Sequence, residues 1–312
     1  MSFSNDVRNE LARVMPEKEC CAKAELSALL AVSGIFLHKG SRESIFTTTI
    51  ENAATARKIF KLIKQTYHLQ SSVRMGTRRR FQKSRVYEVN TFLEQAGLQA
   101  LQELNIIDNN LKIKHEIPRS LTSKTCCKRA YIRGIFLNRG FVNRPEGTYH
   151  LEIIFNQGKL AGEVQKMLET FNLQARIIER KNNLVLYLKE SEQIVDFLRV
   201  VGANNALLDF ENVRILKSMR NHVNRQVNCE TANLSKTIDA SIRQIELIKN
   251  LIKDNGWDNL SPELKELATL RINYPDSTLK ELGTMLNPPL SKSGVAYRMR
   301  KLEKMAEELG NN

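Results

Sequence analysis

The sequence predicts an α+β chain in which a helix-and-hairpin unit occurs twice and is followed by a purely helical module. Three observations carry this. The phrase Gly34-Ile35-Phe36-Leu37 returns as Gly134-Ile135-Phe136-Leu137, each copy preceded by an apolar helix pattern and followed within three residues by a basic-Gly pair. Between and after the copies, short β-branched runs alternate with helical spacing, whereas from Ala206 onward only helical spacing is found. From Ser261 the chain reads as helix, turn, helix, turn and helix, with cap residues at the joints. At 312 residues there is material for two or three cores. The expected division is a repeat domain over 1–205 (repeats at about 20–105 and 124–202), a helical connector over 206–255 and a final domain over 256–312.

The elements follow in order. Residues 1–14 spell a short amphipathic helix with Val7, Leu11 and Val14 aligned, stopped near Pro16. The first apolar helix runs through Leu26, Leu29 and Leu30, and its small residues Ala28, Ala31 and Gly34 are three apart, one face on which another helix backbone can approach closely. In the second copy Ala130 and Gly134 have that role, so the two helices are expected to pack across a pseudo-two-fold axis. A β-branched run at 44–50 is a strand, Ala53–Tyr67 a helix, 71–75 and 86–91 strands about a basic link, and 93–104 a helix, with one further strand hidden around 37–42. The second unit repeats this order: strand 149–155, helix 160–171, a hairpin of 175–179 with 184–188 turning at Lys181-Asn182-Asn183, and helix 191–201.

In the connector, Leu207, Phe210, Val213, Leu216 and Met219 form one helical stripe and Leu234, Ile238, Ile242 and Ile245 another, with a break expected at 228–231, where Asn-Cys-Glu-Thr offers caps. In the last domain, Ser261 is a capping serine before Pro262, and Leu264, Leu267 and Leu270 face inward. Leu279, Leu282, Met285 and Leu286 bury the next helix, Asn287-Pro288-Pro289 turns, and the final helix begins at 291–295.

The net charge is +14 and the isoelectric point about 9.6, which points to a polyanionic partner. From Asn221 onward there are 13 Lys+Arg against 12 Asp+Glu, so +13 of the +14 precedes that point. The densest run, Arg74, Arg78, Arg79, Arg80, Lys83 and Arg85, lies in the first hairpin, and Arg176, Arg180 and Lys181 stand in its counterpart. These are expected to meet phosphates. In the last domain the charge gathers on the second helix of a helix-turn-helix: Lys292, Arg298, Arg300 and Lys301, with Ser291 and Ser293 at its amino end, Tyr297 between and Lys280 on the preceding helix. Arg298 and Arg300, two apart, project in different directions, so at most one points squarely into a groove.

The first fifteen residues carry no apolar signal core, and the longest apolar stretch, 26–37, is too short to span a bilayer, so a cytoplasmic protein without membrane contact is expected. The five cysteines are odd in number and lack CxxC spacing. Adjacent side chains diverge by about 100° on a helix, and in the offset of the Gly-Ile-Phe-Leu phrases Cys20-Cys21 and Cys126-Cys127 are not equivalent. The expectation is therefore small buried residues near helix starts, with no metal and no cofactor.

Residues 26–34 resemble the signature helix of the LAGLIDADG homing endonucleases, with Leu26, Leu29, Leu30 and Gly34 in matching places. The resemblance implies two repeats folded as a saddle over duplex DNA, each supplying one metal-binding acid just before the closing glycine. Here that place is assigned to Ser33 in the first copy and Arg133 in the second, neither able to hold a divalent ion. End to end, the chain resembles the WhiA family of bacterial regulators, a degenerate LAGLIDADG-like domain followed by a helix-turn-helix similar to that of sigma factors. The resemblance is carried by Glu211-Asn212-Val213-Arg214, residues 227–233, Leu279-Lys280-Glu281-Leu282-Gly283, and residues 291–295 followed by Arg298-x-Arg300-Lys301-Leu302. Tyr297 departs from the family, where His is common. The resemblance implies a non-catalytic DNA-binding regulator, either a transcription factor or a nucleoid-associated protein, with a role in cell division, chromosome segregation and, in relatives, sporulation. Double-stranded DNA is the expected partner, and a regulatory protein a further class. A cryptic metal-dependent endonuclease and a protein-interaction scaffold with incidental charge remain the competing classes.

Overall fold

The computed structural model describes residues 2–39, 43–78, 84–253 and 257–310. They divide into two compact units, Met1–Lys217 and Ser218–Asn312, a division that falls inside the stretch expected to be the connector.

The first unit is an α+β duplication. Helices α1 (Phe3–Arg13) and α2 (Glu19–Ser33) lead into β1 (Gly34–Lys39) and β2 (Glu43–Ile50), then α3 (Ala53–Tyr67), β3 (Ser71–Arg78), β4 (Ser84–Leu93) and α4 (Gln95–Glu103). The second copy follows as α5 (Thr125–Arg139), β5 (Gly140–Val142), β6 (Leu151–Phe155), α6 (Gly158–Glu169), β7 (Arg176–Arg180), β8 (Asn183–Leu188) and α7 (Ser191–Val201). Each copy makes one antiparallel four-stranded sheet of the same topology, β1-β2-β4-β3 and β5-β6-β8-β7. The strand hidden around 37–42 is β1, which begins at Gly34; residues 40–42 lie outside the described residues. Strand reaches into the basic link from both sides, β3 to Arg78 and β4 from Ser84; residues 79–83 lie outside the described residues.

The two signature helices pack together at the centre, but in a register other than the one that Gly-Ile-Phe-Leu suggests. Gly34 closes α2 and opens β1, whereas Gly134 lies in the middle of α5, which runs on to Arg139 and is closed by Gly140. The matching phrases are therefore strand in one copy and helix in the other. The structural repeat relates Gly34 to Gly140 and Ala28 to Gly134. Those last two meet: a Cβ added to Gly134 would lie 2.8 Å from the Ala28 Cβ and 2.7 Å from the Glu25 carbonyl oxygen. Contact between equivalent residues is what a pseudo-two-fold axis produces, and it lets the backbones approach as closely as they do.

Across this seam lies a buried ionic cluster. The Glu25 side chain, wholly shielded from solvent, accepts from Arg133 Nε at 3.0 Å and Nη2 at 2.6 Å and pairs with Lys58 Nζ of α3 at 2.5 Å. Lys58 also donates to the carbonyls of Leu11 and Val14, and Arg133 to that of Val201. Two cations share one carboxylate, and backbone carbonyls take up the two other donors of Lys58 and one of Arg133. Burial is the main cause that pulls the Lys58 ammonium down to about 8 from 10.5, opposed by Glu25.

The break expected at 228–231 is absent. Helix α8 runs unbroken from Asn204 to Lys253, since neither proline nor glycine interrupts it and polar caps do not end a helix that has no reason to stop. Much of its apolar stripe is open to solvent, Met219, Val223, Val227, Leu234, Ile238 and Ile242 included, while Ile248 and Leu251 are buried.

In the second unit α9 (Pro262–Asn273), α10 (Leu279–Met285) and α11 (Lys292–Gly310) pack on the end of α8. Ser261 stands at the N-cap of α9 but makes no side-chain cap bond, so Pro262 at the first turn does the preorganising. The full capping box belongs to α10, where Thr278 and Glu281 bond each other's backbone N–H. Met285, expected inside, is exposed, whereas Leu282 and Leu286 are buried. A Cβ on Gly283 would lie 2.3 Å from the Leu290 carbonyl oxygen, so glycine is what allows the turn to fold back on α10. Buried Arg271 ties α9 to the turn that precedes α10 through the Ser277 carbonyl at 2.7 Å.

Candidate nucleic-acid interface

Helix α11 buries Val295, Met299 and Leu302 against α9 and α10. The 3.6-residue period then places Ser293, Tyr297, Arg300, Lys301 and Lys304 on the opposite side, and all five are exposed, Tyr297 at 70%. At the amino end Ser291 caps the helix, accepting from the Gly294 N–H at 3.3 Å, and its hydroxyl lies 2.9 Å from that of Ser293. Lys292 is exposed beside them, as is Lys280 in the first turn of α10.

Arg298 is not on this face. Its guanidinium reaches Glu263 of α9 at 2.9 Å and is only 17% exposed. Of the two arginines that cannot point the same way, Arg298 packs back and Arg300 faces solvent. The sequence could not choose between them, because the choice depends on which residue of α9 lies opposite.

In the first unit, Arg74 stands on edge strand β3 directly across the ladder from Glu88, and Arg85 on β4 across from Thr77. Both arginines are exposed. Arg79, Arg80 and Lys83 lie outside the described residues, and only the backbone of Arg78 is described. The counterpart hairpin puts exposed Arg176 and Arg180 on edge strand β7. It turns at Lys181 and Asn182, with φ of 50° and 63°, the paired positive values of a type I′ turn; Asn183, expected in the turn, is already strand. The basic hairpins therefore occupy the same topological place in the two sheets, β3-β4 and β7-β8.

The ends of the signature helices carry no carboxylate. Ser33 is the last residue of α2 and Arg139, not Arg133, the last of α5. Arg133 lies mid-helix, in the buried cluster with Glu25. The exchange follows from the six-residue shift of register, and Arg139 has the same incapacity to hold a divalent cation. Ser33 accepts from Asn138 Nδ2 at 2.9 Å, a bond between the two helices near this end of the seam.

Three family descriptions cover nearly the whole chain: WhiA N-terminal LAGLIDADG-like domain at residues 19–107, WhiA LAGLIDADG-like domain at 128–220, and WhiA C-terminal HTH domain at 223–306. A probable cell division protein WhiA of Syntrophomonas wolfei is 58% identical over 99% of both chains, and one of Heliobacterium modesticaldum is 49% identical over 98% of this chain and 96% of its own. The chain belongs to the WhiA family.

Full-length DUF199/WhiA from Thermotoga maritima, at 24% identity over 99% of both chains and a TM-score of 0.61, has the same fold. The three matched domains span all eight described strands and, wholly or in the main, every described helix but α1. What the sequence left unread was the partner of Arg298, the true end of the second signature helix at Arg139, and the meeting of cysteines at the helix starts. The signal for the last two was present: with Gly34 set on Gly140, Cys20 falls on Cys126 and Cys21 on Cys127.

Proposed function

We propose that this WhiA chain is a non-catalytic regulator that reads double-stranded DNA with α11 and grips the backbone with its basic hairpins. The observation that carries the reading is the exposed stripe of Ser293, Tyr297, Arg300 and Lys301 on the second helix of a helix-turn-helix, opposite a fully apolar buried side. A hydroxyl, an aromatic edge and a guanidinium at helical spacing offer a base edge both hydrogen bonds and an apolar contact. Lys292, Lys280 and the amino end of α11 are suited to flanking phosphates. In the repeat unit, Arg74, Arg85, Arg176, Arg180 and Lys181 add contacts that carry no sequence information.

The absence of an acid at Ser33 and Arg139 supports a scaffold that no longer cuts. The relatives' designation as probable cell division proteins supports a role there, and we extend it to transcription control, chromosome segregation and sporulation at the nucleoid. Footprinting of the full chain on genomic fragments, followed by anisotropy titrations on the protected site and on a scrambled one, tests the reading. Protection of discrete sites that Arg300→Ala erases supports it; binding that does not distinguish the two duplexes overturns it.

A second reading, a scaffold for a regulatory protein, is favoured by one observation. Within the second unit alone, six large apolar side chains of α8 from Met219 to Ile242 are exposed along its length, more than a helix with no partner usually shows. Crosslinking in cells from a photoreactive residue at Val227 tests it, and the absence of a discrete adduct removes it.

A further inference from the structure

We propose that Cys20, Cys21, Cys126 and Cys127 together hold one tetrahedrally coordinated zinc ion between the amino ends of α2 and α5. The four sulfur atoms lie within 4.8 Å of one another, two from each helix. With zinc–sulfur bonds of about 2.3 Å, the edge of a regular tetrahedron of thiolates is about 3.8 Å. Cys126 and Cys127 are already 4.0 Å apart at their sulfurs. Closing the cluster on an ion therefore asks for side-chain rotations and no movement of a helix. An iron–sulfur cluster would need a wider set, because its four thiolates are divided among two or four irons.

The four are brought together by the same pseudo-two-fold axis that joins Ala28 to Gly134. Cys20 and Cys126 are the second residues of their helices, Cys21 and Cys127 the third. Cys21 and Cys127 are buried, at 8% and 2% exposure, while Cys20 and Cys126 are partly open and leave an approach for the ion. Around them pack Ala24, Ala130 and Leu121, an apolar wall. The angular divergence of adjacent side chains on a helix, which argued against a shared ion, does not keep these sulfurs apart.

The charge balance is favourable too. Four thiolates on a divalent ion carry two negative charges. Two helix amino termini of roughly half a positive charge each face them. Neither helix has a side-chain cap bond there, and the residues just before them are Lys18 and Lys124. Glu19, the nearest acid in sequence, is held by Lys23 at 2.9 Å. On binding, each thiol exchanges its proton for the ion and releases it to solvent. The ion would clamp the ends of the two central helices, a fold-stabilising role rather than a chemical one.

The test uses the full-length chain, purified under reducing conditions without chelator. Elemental analysis is expected to find one zinc per chain. The stripped, reduced chain titrated with Co²⁺ is expected to saturate at one equivalent, with the intense red-region ligand-field bands and near-ultraviolet sulfur-to-cobalt charge transfer of a tetrahedral tetrathiolate. Cys20→Ser/Cys126→Ser, which changes the two less buried ligands, should lose those bands while Cys229→Ser keeps them. Weak octahedral cobalt spectra in the unaltered chain, or disulfides among these four cysteines in place of metal, overturn the proposal. So does a tetrathiolate spectrum that survives the double substitution. Because the cobalt spectrum is read on the unaltered chain, a double variant that fails to fold leaves the test intact.

Discussion

Glu25 stands alone between two cations, and its replacement has a calculable direction. Glu25→Ala leaves Lys58 and Arg133 buried without a counter-charge, an uncompensated state expected to cost about 3–5 kcal/mol. Urea denaturation followed by a reporter in the first unit checks it, and a loss below about 1 kcal/mol would mean that water enters the cluster. Lys58 adds a pH signature. Its folded value, about 8, is below the ordinary 10.5, chiefly through burial, so between these values the unfolded chain binds more protons than the folded one. The Lys58 contribution to stability is therefore constant below about pH 8 and rises as pH increases toward 10.5. Subtracting the stability of Lys58→Met from that of the unaltered chain at each pH isolates it, and a flat difference across that window refutes the sign. On α11 the two arginines should separate. Arg300→Ala is expected to cost about 1–3 kcal/mol on a preferred site and less on scrambled DNA. Arg298→Ala should instead cost up to about 1 kcal/mol of stability in the second unit, the worth of a half-open ion pair with Glu263, with equal small effects on both duplexes. The reverse pattern would return Arg298 to the groove.

At the scale of elements the central crossing of α2 and α5 sets the tightest constraint. Gly134→Val places carbon where the Glu25 carbonyl oxygen and the Ala28 methyl already lie, at 2.7 and 2.8 Å from the first added atom alone. Overpacking of this kind is expected to cost about 1–3 kcal/mol, visible as a lowered thermal midpoint of the first unit; an unchanged midpoint would mean that the helices separate without penalty. The same crossing shows why the elements were legible and their register was not. Ala53–Tyr67 and Ser191–Val201 are readable to the residue because apolar spacing agrees there with a terminal signal, the capping Asn52 of the first and the closing Gly202 of the second. Gly-Ile-Phe-Leu misled because four residues do not determine their own conformation. At Gly34 a helix has just ended and β2 offers a ladder partner, whereas at Gly134 the preceding turns of α5 propagate through the phrase. Glycine tolerates both, so the letters match and the structures do not.

For the whole molecule the uneven charge makes the strongest prediction. With +13 of the +14 placed before Asn221, most of the salt dependence of DNA binding should reside in the repeat unit. Reversing Arg74, Arg85 and Arg180 to Glu in the full chain is expected to weaken binding to every duplex alike and to lower the slope of log affinity against log salt by about one for each phosphate no longer neutralised. An unchanged slope would leave α11 as the only grip on DNA. The chain is also expected neither to nick nor to linearise plasmid DNA in Mg²⁺ or Mn²⁺, since the positions that close the signature helices are Ser33 and Arg139. Metal-dependent cleavage abolished by replacing an acid would restore the endonuclease class.

The sequence by itself determined the class of the fold, its duplication, most helices and strands, and the helix expected to enter a groove. Those features are written in local periodicity and composition, which survive without knowledge of neighbours. Only the tertiary structure decided the register of the repeat, the unbroken length of α8, the turning of Arg298 toward Glu263 and the convergence of four cysteines. Apart from α8, whose middle is exposed and which runs on because neither proline nor glycine stops it, each of these depends on what stands across a packed interface. Cys20 and Cys126 are more than a hundred residues apart in the chain; their equivalence under the Gly34–Gly140 offset can be read along it, but that their sulfurs meet follows only from the close approach of α2 and α5.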